Sequence, residues 1–186
     1  YLKPTDRILD IGSHAGEHSF KAAAKVSHVV GIDIDHNLLA RAKKEVFRRG
    51  FTNTTFNYYN AENKLSFEKN VFDAVFLFAV LEHIHKRDQL LTEIKRVLRP
   101  RGKLFISVPN RDTWWKHWQQ SVGMTGMSDP DHKVEFSQSE ITGLLRHHGF
   151  SHIKIQFAAI DTPLAGLIDV IGGFSLPLYQ KIQYWR

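Results

Sequence analysis

Apolar and polar positions along the chain predict strands and helices in turn. Short apolar runs are typical of buried strands, and the fourth run is interrupted only by Asp73. The predicted strands are Arg7–Ile11, His28–Ile34, Thr54–Tyr58, Val71–Phe78, Lys103–Val108 and Ser151–Ala159. Each of the first five is followed by a helix or a loop, so the pattern favours parallel rather than hairpin pairing.

Helical spacing of apolar residues fills the stretches between the strands. The predicted helices are Gly16–Lys25, Asn37–Arg49, Asp88–Leu98 and Ser137–His148. In the second helix an inward face is predicted for Leu38, Leu39, Ala42, Val46 and Phe47. Alternating strands and helices with short links predict an α/β fold with an open, doubly wound parallel sheet.

The ends of these helices are signalled by specific residues. Asp35 is predicted to cap the second helix and Gly50 to end it. Ser137 with Glu140 three residues later has the pattern of a capping box at the fourth helix. In such sheets ligands bind where the strands end, so the loops after the strands are the places to search for chemistry.

Composition narrows the classes of function. The 186 residues contain no cysteine, which excludes disulfides, thiolate zinc sites and cysteine nucleophiles. The net charge of +6 fits an anionic partner or solvated helix faces. We favour the second, since no cationic run interleaves with aromatics as in a nucleic-acid stripe. With no signal peptide and no apolar run of about 18 residues, we expect a cytoplasmic protein.

The turn after the first strand has the form of a nucleotide-binding turn. Gly12 and Gly16 flank Ser13, His14 and Ala15 and lead into a helix. Glycine allows the backbone to approach a ligand closely, and the helix start directs free N–H groups at it. Ordinary turn glycines are the alternative for this pair taken alone.

An acidic residue at the end of the second strand strengthens this interpretation. Asp33 follows Gly12 by 21 residues, about the ~20-residue spacing at which a carboxylate reaches ribose hydroxyls. This leaves NAD and S-adenosylmethionine (SAM) as candidates. The sequence lacks the three-glycine pattern that a pyrophosphate needs, and His14 stands where a diphosphate would be crowded.

Several ordered motifs resemble those of class I SAM-dependent methyltransferases, with the greatest likeness to the ubiquinone- and menaquinone-biosynthesis and sugar methyltransferase group. The similar segments are residues 7–16, 30–34, 60–62, 72–75, 80–84, 96–110, 131–137 and 148–150. The resemblance implies a Rossmann-like, mostly parallel sheet of strand order 3-2-1-4-5-6. The usual seventh antiparallel strand and the N-terminal helix are not found, so we expect a chain trimmed at both ends.

The resemblance also implies roles for individual residues toward SAM. The implied cofactor-binding residues are Asp10, Gly12, His14, Gly16, Asp33, Ile34, Asn60, Ala61, Glu62 and Phe78. Asp10 and the turn would hold the methionine part, and Asp33 the ribose. Ile34 would pack on the adenine with residues 60–62 along its edge, and the backbone carbonyl of Phe78 would accept from the methionine amino group.

Two of these positions depart from the family pattern. His14 replaces the usual middle glycine, and Asn60 replaces a frequent aspartate. An imidazole at position 14 would tilt the loop or stand near the SAM carboxylate. Asn60 still offers a carbonyl acceptor to the adenine amino group.

His83 is the candidate general base, because it follows the fourth strand and imidazole titrates in the range required. A histidine that caps or packs under the next helix is the alternative. Glu82 and His83 also resemble part of the ligand set of metal-assisted quinone methyltransferases. Ala79 occupies the place of the further glutamate there, so we predict no metal.

The remaining segments are expected to shape the acceptor site of a single domain with residues 1–110 as its cofactor core. Residues 111–135 would cover the acceptor, with Trp114, Trp115, Trp118 and His132 as acceptor-binding residues. The tryptophans could instead seal the end of the sheet. Residues 160–186 are apolar but broken by glycine and proline, which favours a lid or a homodimer surface over a shallow membrane contact.

These features together predict a SAM-dependent methyltransferase for a small-molecule acceptor, such as a hydroxyl of a sugar or glycan precursor or a quinone-like phenol. One alternative is RNA or protein methylation, which the charge suggests. The sequence lacks a motif for methylating the amino groups of nucleic-acid bases, and it lacks the cysteine needed to methylate C5 of pyrimidines. The other alternative is a SAM-binding module without catalysis.

Overall fold

Five strands form one parallel sheet in a computed structural model that describes residues 2–113, 116–117, 121, 129 and 131–157. The strands are β1 (Arg7–Ile11), β2 (His28–Asp33), β3 (Thr54–Tyr58), β4 (Phe72–Phe78) and β5 (Leu98–Ser107). Their order is β3-β2-β1-β4-β5, and every pairing is parallel. The prediction of an open, doubly wound Rossmann-like sheet is confirmed.

Within the described residues, four helices connect or flank these strands, as the periodicity predicted. They are α1 (Glu17–Ala23), α2 (His36–Arg49), α3 (Arg87–Val97) and α4 (Gln138–His147), with a 3₁₀ turn at Leu81–His83. None of the helices within the described ranges combines the length and apolar character needed to cross a membrane.

The core lies on both faces of the central strands. Ile8, Leu9 and Val29 are fully buried, as are Val75 and Leu77 of β4. This matches the continuous apolar runs of these strands, because a central parallel strand is covered by helices on both sides.

The predicted caps are present. The Asp35 side chain accepts from the backbone N–H groups of Asn37 and Leu38, and Gly50 ends α2 in a left-handed conformation at φ 68°. At α4, Ser137 and Glu140 exchange the two bonds of a capping box. Short polar side chains thus set the helix starts, as the sequence indicated.

The predicted inward face of α2 is wrong at one residue. Leu39 and Ala42 are buried, whereas Phe47 is 91% exposed. At 100° a residue, Phe47 lies more than a quarter-turn away from the arc of Leu38, Ala42 and Val46. Its ring therefore faces away from the sheet.

Strand β5 begins earlier than predicted, at Leu98 instead of Lys103. Leu98 pairs with Phe72 and Lys103 with Ala74, so the intervening residues form an irregularity within the strand. Arg101 there has φ 64°. Residues 99–102 therefore remain within β5, which pairs with β4 on both sides of the irregularity.

The predicted sixth strand is not formed over residues 151–157, where the described chain has no β pairing. His152 has φ 55°, which interrupts an extended backbone, and Phe157 is 68% exposed. Residues 158–159 of that prediction lie outside the described residues.

By its internal contacts the chain divides into two compact units. The larger comprises residues 1–111 and 127–151 and contains the whole sheet and all four helices. The smaller comprises residues 112–126 and 152–186. Within the smaller unit, the backbone N–H groups of Lys116 and His117 donate to the carbonyl of Thr113.

Candidate functional site

Three loops meet at the carboxyl edge of the sheet, where β1, β2 and β4 end side by side. The loop after β1 is held against β2 because the N–H groups of Gly12 and Ser13 both donate to the Ile32 carbonyl, at 2.9 and 3.0 Å. The two backbone bonds fix the position of the predicted nucleotide-binding turn.

Glycine is required at both ends of this turn. Gly12 has φ 71°, and a Cβ added there would lie 2.3 Å from the Cγ2 of Val80, just after β4. Gly16 has φ 90°, and a Cβ there would meet the rings of Phe20 and Phe56 below 3 Å. The sequence suggested that these glycines let the backbone approach a ligand. In the structure they let the backbone approach the side chains of Val80, Phe20 and Phe56.

The predicted ribose ligand, Asp33, organises the loop. Its Oδ2 accepts from the backbone N–H of His14 at 2.8 Å, and its Oδ1 accepts from the N–H of Asp35 at 2.9 Å. Each carboxylate oxygen retains further acceptor capacity. One side chain therefore joins the loops after β1 and β2, a contact that the sequence spacing alone did not reveal.

His14 stands in the left-handed region, at φ 51°. This conformation explains why glycine is usual at the position, since a Cβ is unfavourable there. The side chain is exposed at the edge of the sheet. His14 thus adopts a left-handed backbone conformation that is unfavourable for most residues other than glycine.

Asp10 lies beneath the turn, only 2% exposed. Its carboxylate accepts from the Ser19 hydroxyl of α1 at 2.5 Å. Burial raises the pKa of Asp10 to about 6, with the Ser19 hydrogen bond opposing the rise and the charge of Asp33 adding to it. The structure places Asp10 as a link between β1 and α1, and Ser19 is a site residue that sequence reasoning missed.

The predicted adenine-edge residues form a connected set. Ile34 is 61% exposed and presents apolar surface at the end of β2. The Asn60 side chain accepts from the Glu62 N–H at 2.9 Å, while Glu62 Oε1 accepts from the N–H of His85 at 2.6 Å. Ala61 between them is buried.

A ring pair missed by the sequence reasoning lies at the same edge. The rings of His36 and Tyr58 stack with centroids 4.1 Å apart and an interplanar angle of 3°. His36 begins α2 and Tyr58 ends β3. The ring contact therefore joins the two elements that come next in the chain after Asp33, the predicted ribose ligand. In the sequence, only the position of these two residues at the ends of predicted elements pointed to a role in the site.

Phe78 closes β4 beside the turn. Its ring lies 4.7 Å from that of His18 in α1, measured between centroids. The following Ala79 has φ 52° and donates its N–H to the Ser107 carbonyl at 3.1 Å. The chain therefore turns sharply after Phe78, at the position where its carbonyl was expected to meet the methionine amino group.

His83 and His132, separated by 49 positions in the sequence, lie together. Their ring centroids are 4.9 Å apart in a T-shaped arrangement. His132 Nδ1 is 3.0 Å from Glu135 Oε1, and both side chains are buried. The N–H of Lys133 donates to the Glu82 carbonyl at 2.8 Å, which holds the segment against the 3₁₀ turn.

Glu82 is buried beside this pair. Burial raises its pKa, with the two neighbouring histidines opposing the rise. Its Oε2 has no hydrogen-bond partner within the described part of the chain. Donor atoms of Glu82, His83 and His132 lie within 4.8 Å of one another. This spacing would allow the three groups to hold one metal ion together.

Trp114, Trp115 and Trp118 lie outside the described residues, as does the segment 160–186. Of the predicted acceptor-site residues, the structure thus places His132, and it places it beside His83.

The sequence profile described as a methyltransferase domain matches residues 2–161. The chain belongs to this methyltransferase family, and the resemblance to class I SAM-dependent methyltransferases is confirmed.

Individual relatives agree with that assignment. A probable methyltransferase of Aspergillus luteorubrus is 34% identical over 128 residues, covering 63% of this chain and 44% of that protein. A ubiquinone biosynthesis O-methyltransferase of Aromatoleum aromaticum is 31% identical over 106 residues, covering 57% and 45%. The chain thus spans less than half the length of these two relatives.

A solved structure shows the same fold with the cofactor. Phosphoethanolamine N-methyltransferase 2 of Haemonchus contortus, in complex with S-adenosyl-L-methionine, superposes with a TM-score of 0.66 at 26% identity. The match covers 84% of this chain and 35% of that one.

Proposed function

We propose that this protein binds SAM at the carboxyl edge of β1, β2 and β4 and catalyses methyl transfer to a small-molecule hydroxyl. The observation that carries the proposal is the hydrogen bond from the His14 N–H to Asp33, because it places a carboxylate with remaining acceptor capacity beside the turn between Gly12 and Gly16.

The residues present fit SAM better than a dinucleotide. The turn contains His14 in place of a glycine, which suits a cofactor without a pyrophosphate. Asp33 would accept from the ribose hydroxyls, and exposed Ile34 would cover one face of the adenine. Gly12–Gly16 and the Phe78 carbonyl would hold the methionine part.

When bound, SAM supplies an electrophilic sulfonium methyl group. The protein must align the acceptor with this methyl group and accept the acceptor's proton. Good alignment lowers the activation barrier by about 7–11 kcal/mol. We assign the role of general base, which accepts this proton, to His83. Its Nδ1 lies 3.4 Å from the Asp131 carbonyl oxygen. A base of this kind adds about 10²–10⁴-fold.

For the acceptor we propose a quinone-like phenol or a sugar hydroxyl. Two points support it. One relative is named a ubiquinone biosynthesis O-methyltransferase, and the adjacent imidazoles of His83 and His132 would supply a base for a weakly acidic hydroxyl. His132 would contact that acceptor.

Calorimetry with SAM and with S-adenosylhomocysteine tests the cofactor step, and saturable binding of both is expected. Absence of binding to either would overturn the proposal. A screen with methyl-labelled SAM against dihydroxybenzoates, sugar nucleotides, RNA and protein then identifies the acceptor. Label on RNA or protein alone would contradict the small-molecule assignment, and binding without transfer to any class would indicate a non-catalytic module.

A further inference from the structure

The outer face of α2 has an unusual surface. Phe47 projects with 91% of its area exposed. Single exposed apolar residues are common on protein surfaces, so Phe47 is informative only through the charges around it. Its helical neighbours one turn back are Lys43 and Lys44, which are both exposed.

Cations surround this ring on both sides of the helix. Exposed Arg41, Lys43, Lys44 and Arg48 lie within about a third of a turn of Phe47. Glu45 lies on the opposite side, where it pairs with Arg48 at 2.8 Å and Arg49 at 2.7 Å. The helical face centred on Phe47 is therefore cationic, without an acidic residue of its own helix.

The cationic surface continues beside the helix into a groove between α1 and α2. Its lining includes the cations Lys21, Arg41, Lys44, Arg48 and Arg49, together with Glu17 and Glu45. Arg49 is also placed over the Phe20 ring, with its guanidinium carbon 5.1 Å from the centroid. Cations thus outnumber carboxylates among the lining groups.

We propose that this face of α2 docks on an anionic lipid bilayer, with Phe47 inserted among the acyl chains near the headgroups. An aromatic ring flanked by long cationic side chains is the arrangement of an interfacial helix. The lysine stems cover apolar surface and their ammonium groups reach lipid phosphates.

A bilayer explains the surface better than a nucleic acid does. A nucleic acid lying in the groove would use its cations but leave Phe47 uncovered, because Phe47 is not among the residues that line the groove. A bilayer uses both the charges and the ring. Each Lys or Arg near an anionic leaflet strengthens binding roughly fivefold, and insertion of a Phe ring adds about tenfold or more.

Flotation with vesicles of phosphatidylcholine alone, or with 30% phosphatidylglycerol, tests the proposal with purified protein in about 0.1 M salt. The protein should float with the anionic vesicles only, and about 0.5 M salt should weaken the association. Phe47→Ser should reduce binding about tenfold, and Lys43→Glu with Lys44→Glu about 25-fold or more.

A matched control is Lys25→Glu with Arg146→Glu, which changes the net charge equally at exposed positions outside α2. This control should retain most of the binding. All variants change exposed side chains, so circular dichroism and thermal unfolding should match the wild type.

The proposal is overturned if the wild type does not float with anionic vesicles, or if the α2 variants float as well as the control. It is also overturned if the α2 variants lose affinity only for a single-stranded RNA oligonucleotide. None of these measurements depends on SAM, so the result is separable from that of the proposed methyl transfer.

Discussion

The carboxylate of Asp33 accepts the backbone N–H of His14 at 2.8 Å and so joins the loop after β2 to the loop after β1. Its second oxygen holds the N–H of Asp35. The proposed ribose ligand is therefore also the group that positions the turn around the proposed cofactor. The proposed ribose assignment therefore predicts that cofactor affinity and local order are coupled through this side chain.

Replacing Asp33 by Ala should weaken SAM binding by at least about tenfold, since charge-assisted hydrogen bonds contribute about 1.5–3 kcal/mol each. Calorimetry measures the change. Asp35→Ala is the matched control, because it removes the α2 cap at about 0.5–2 kcal/mol of stability and leaves the carboxylate of Asp33 in place. Equal affinity of wild type and Asp33→Ala would refute the ribose assignment.

His14→Gly should stabilise the protein by a few tenths to about 1 kcal/mol. Left-handed backbone costs an ordinary residue about 1–2 kcal/mol, partly offset by the greater freedom of glycine in the unfolded chain. Gly12→Ala should do the opposite, because it adds a Cβ at φ 71° against Val80. Denaturant unfolding of both variants measures the difference, and a loss of stability in His14→Gly would show that its side chain makes a stabilising contact.

Asp10 should make stability depend on pH. Its folded-state pKa of about 6 lies above the ordinary value of 3.8, so the folded protein holds the proton more tightly. The associated stability is fully present below pH 3.8 and is lost as pH rises through 6. At about 1.4 kcal/mol per pH unit, the loss is on the order of 3 kcal/mol.

Denaturant unfolding between pH 4 and pH 8 tests this, with Asp10→Asn as the comparison. In Asp10→Asn the free energy of unfolding should not show the decrease between about pH 4 and pH 6 that is expected for the wild type. Ser19→Ala should move the decline to higher pH, because the serine hydrogen bond lowers the pKa of Asp10. The same pH dependence in wild type and Asp10→Asn would assign it to another group.

His83→Ala should lower kcat about 10²–10⁴-fold with the hydroxyl acceptor found by screening, while SAM affinity stays unchanged. His85→Ala, two residues on and also exposed, is the control and should retain activity. The measurement is label transfer with SAM and acceptor at saturation. Full activity in His83→Ala would exclude this histidine as the base.

The sequence predicted most of the fold because its determinants are local. Apolar runs identified five strands, and Asp35, Gly50 and Ser137 marked helix ends within one turn. The error at Phe47 has the same origin. A residue next to an apolar stripe was included in it, although at 100° a residue the helix had already turned it outward.

The candidate site was less accessible to sequence reasoning, because its contacts join residues far apart in the chain. Asp10 and Ser19 are nine positions apart, but His83 and His132 are brought together only by the packing of residues 131–135 on the 3₁₀ turn. Glu135 could not be recognised as the partner of His132 by its type or spacing alone. Nor could the stacking of His36 on Tyr58.

The packing of Val80 over Gly12 has a consequence for how such proteins diverge. Val80 is packed against Gly12 of the proposed cofactor turn and lies three residues before His83, the proposed base. A substitution that enlarges position 80 to suit a new acceptor would also displace the loop beneath the methyl donor. Acceptor range and donor placement are therefore expected to evolve together at this one point.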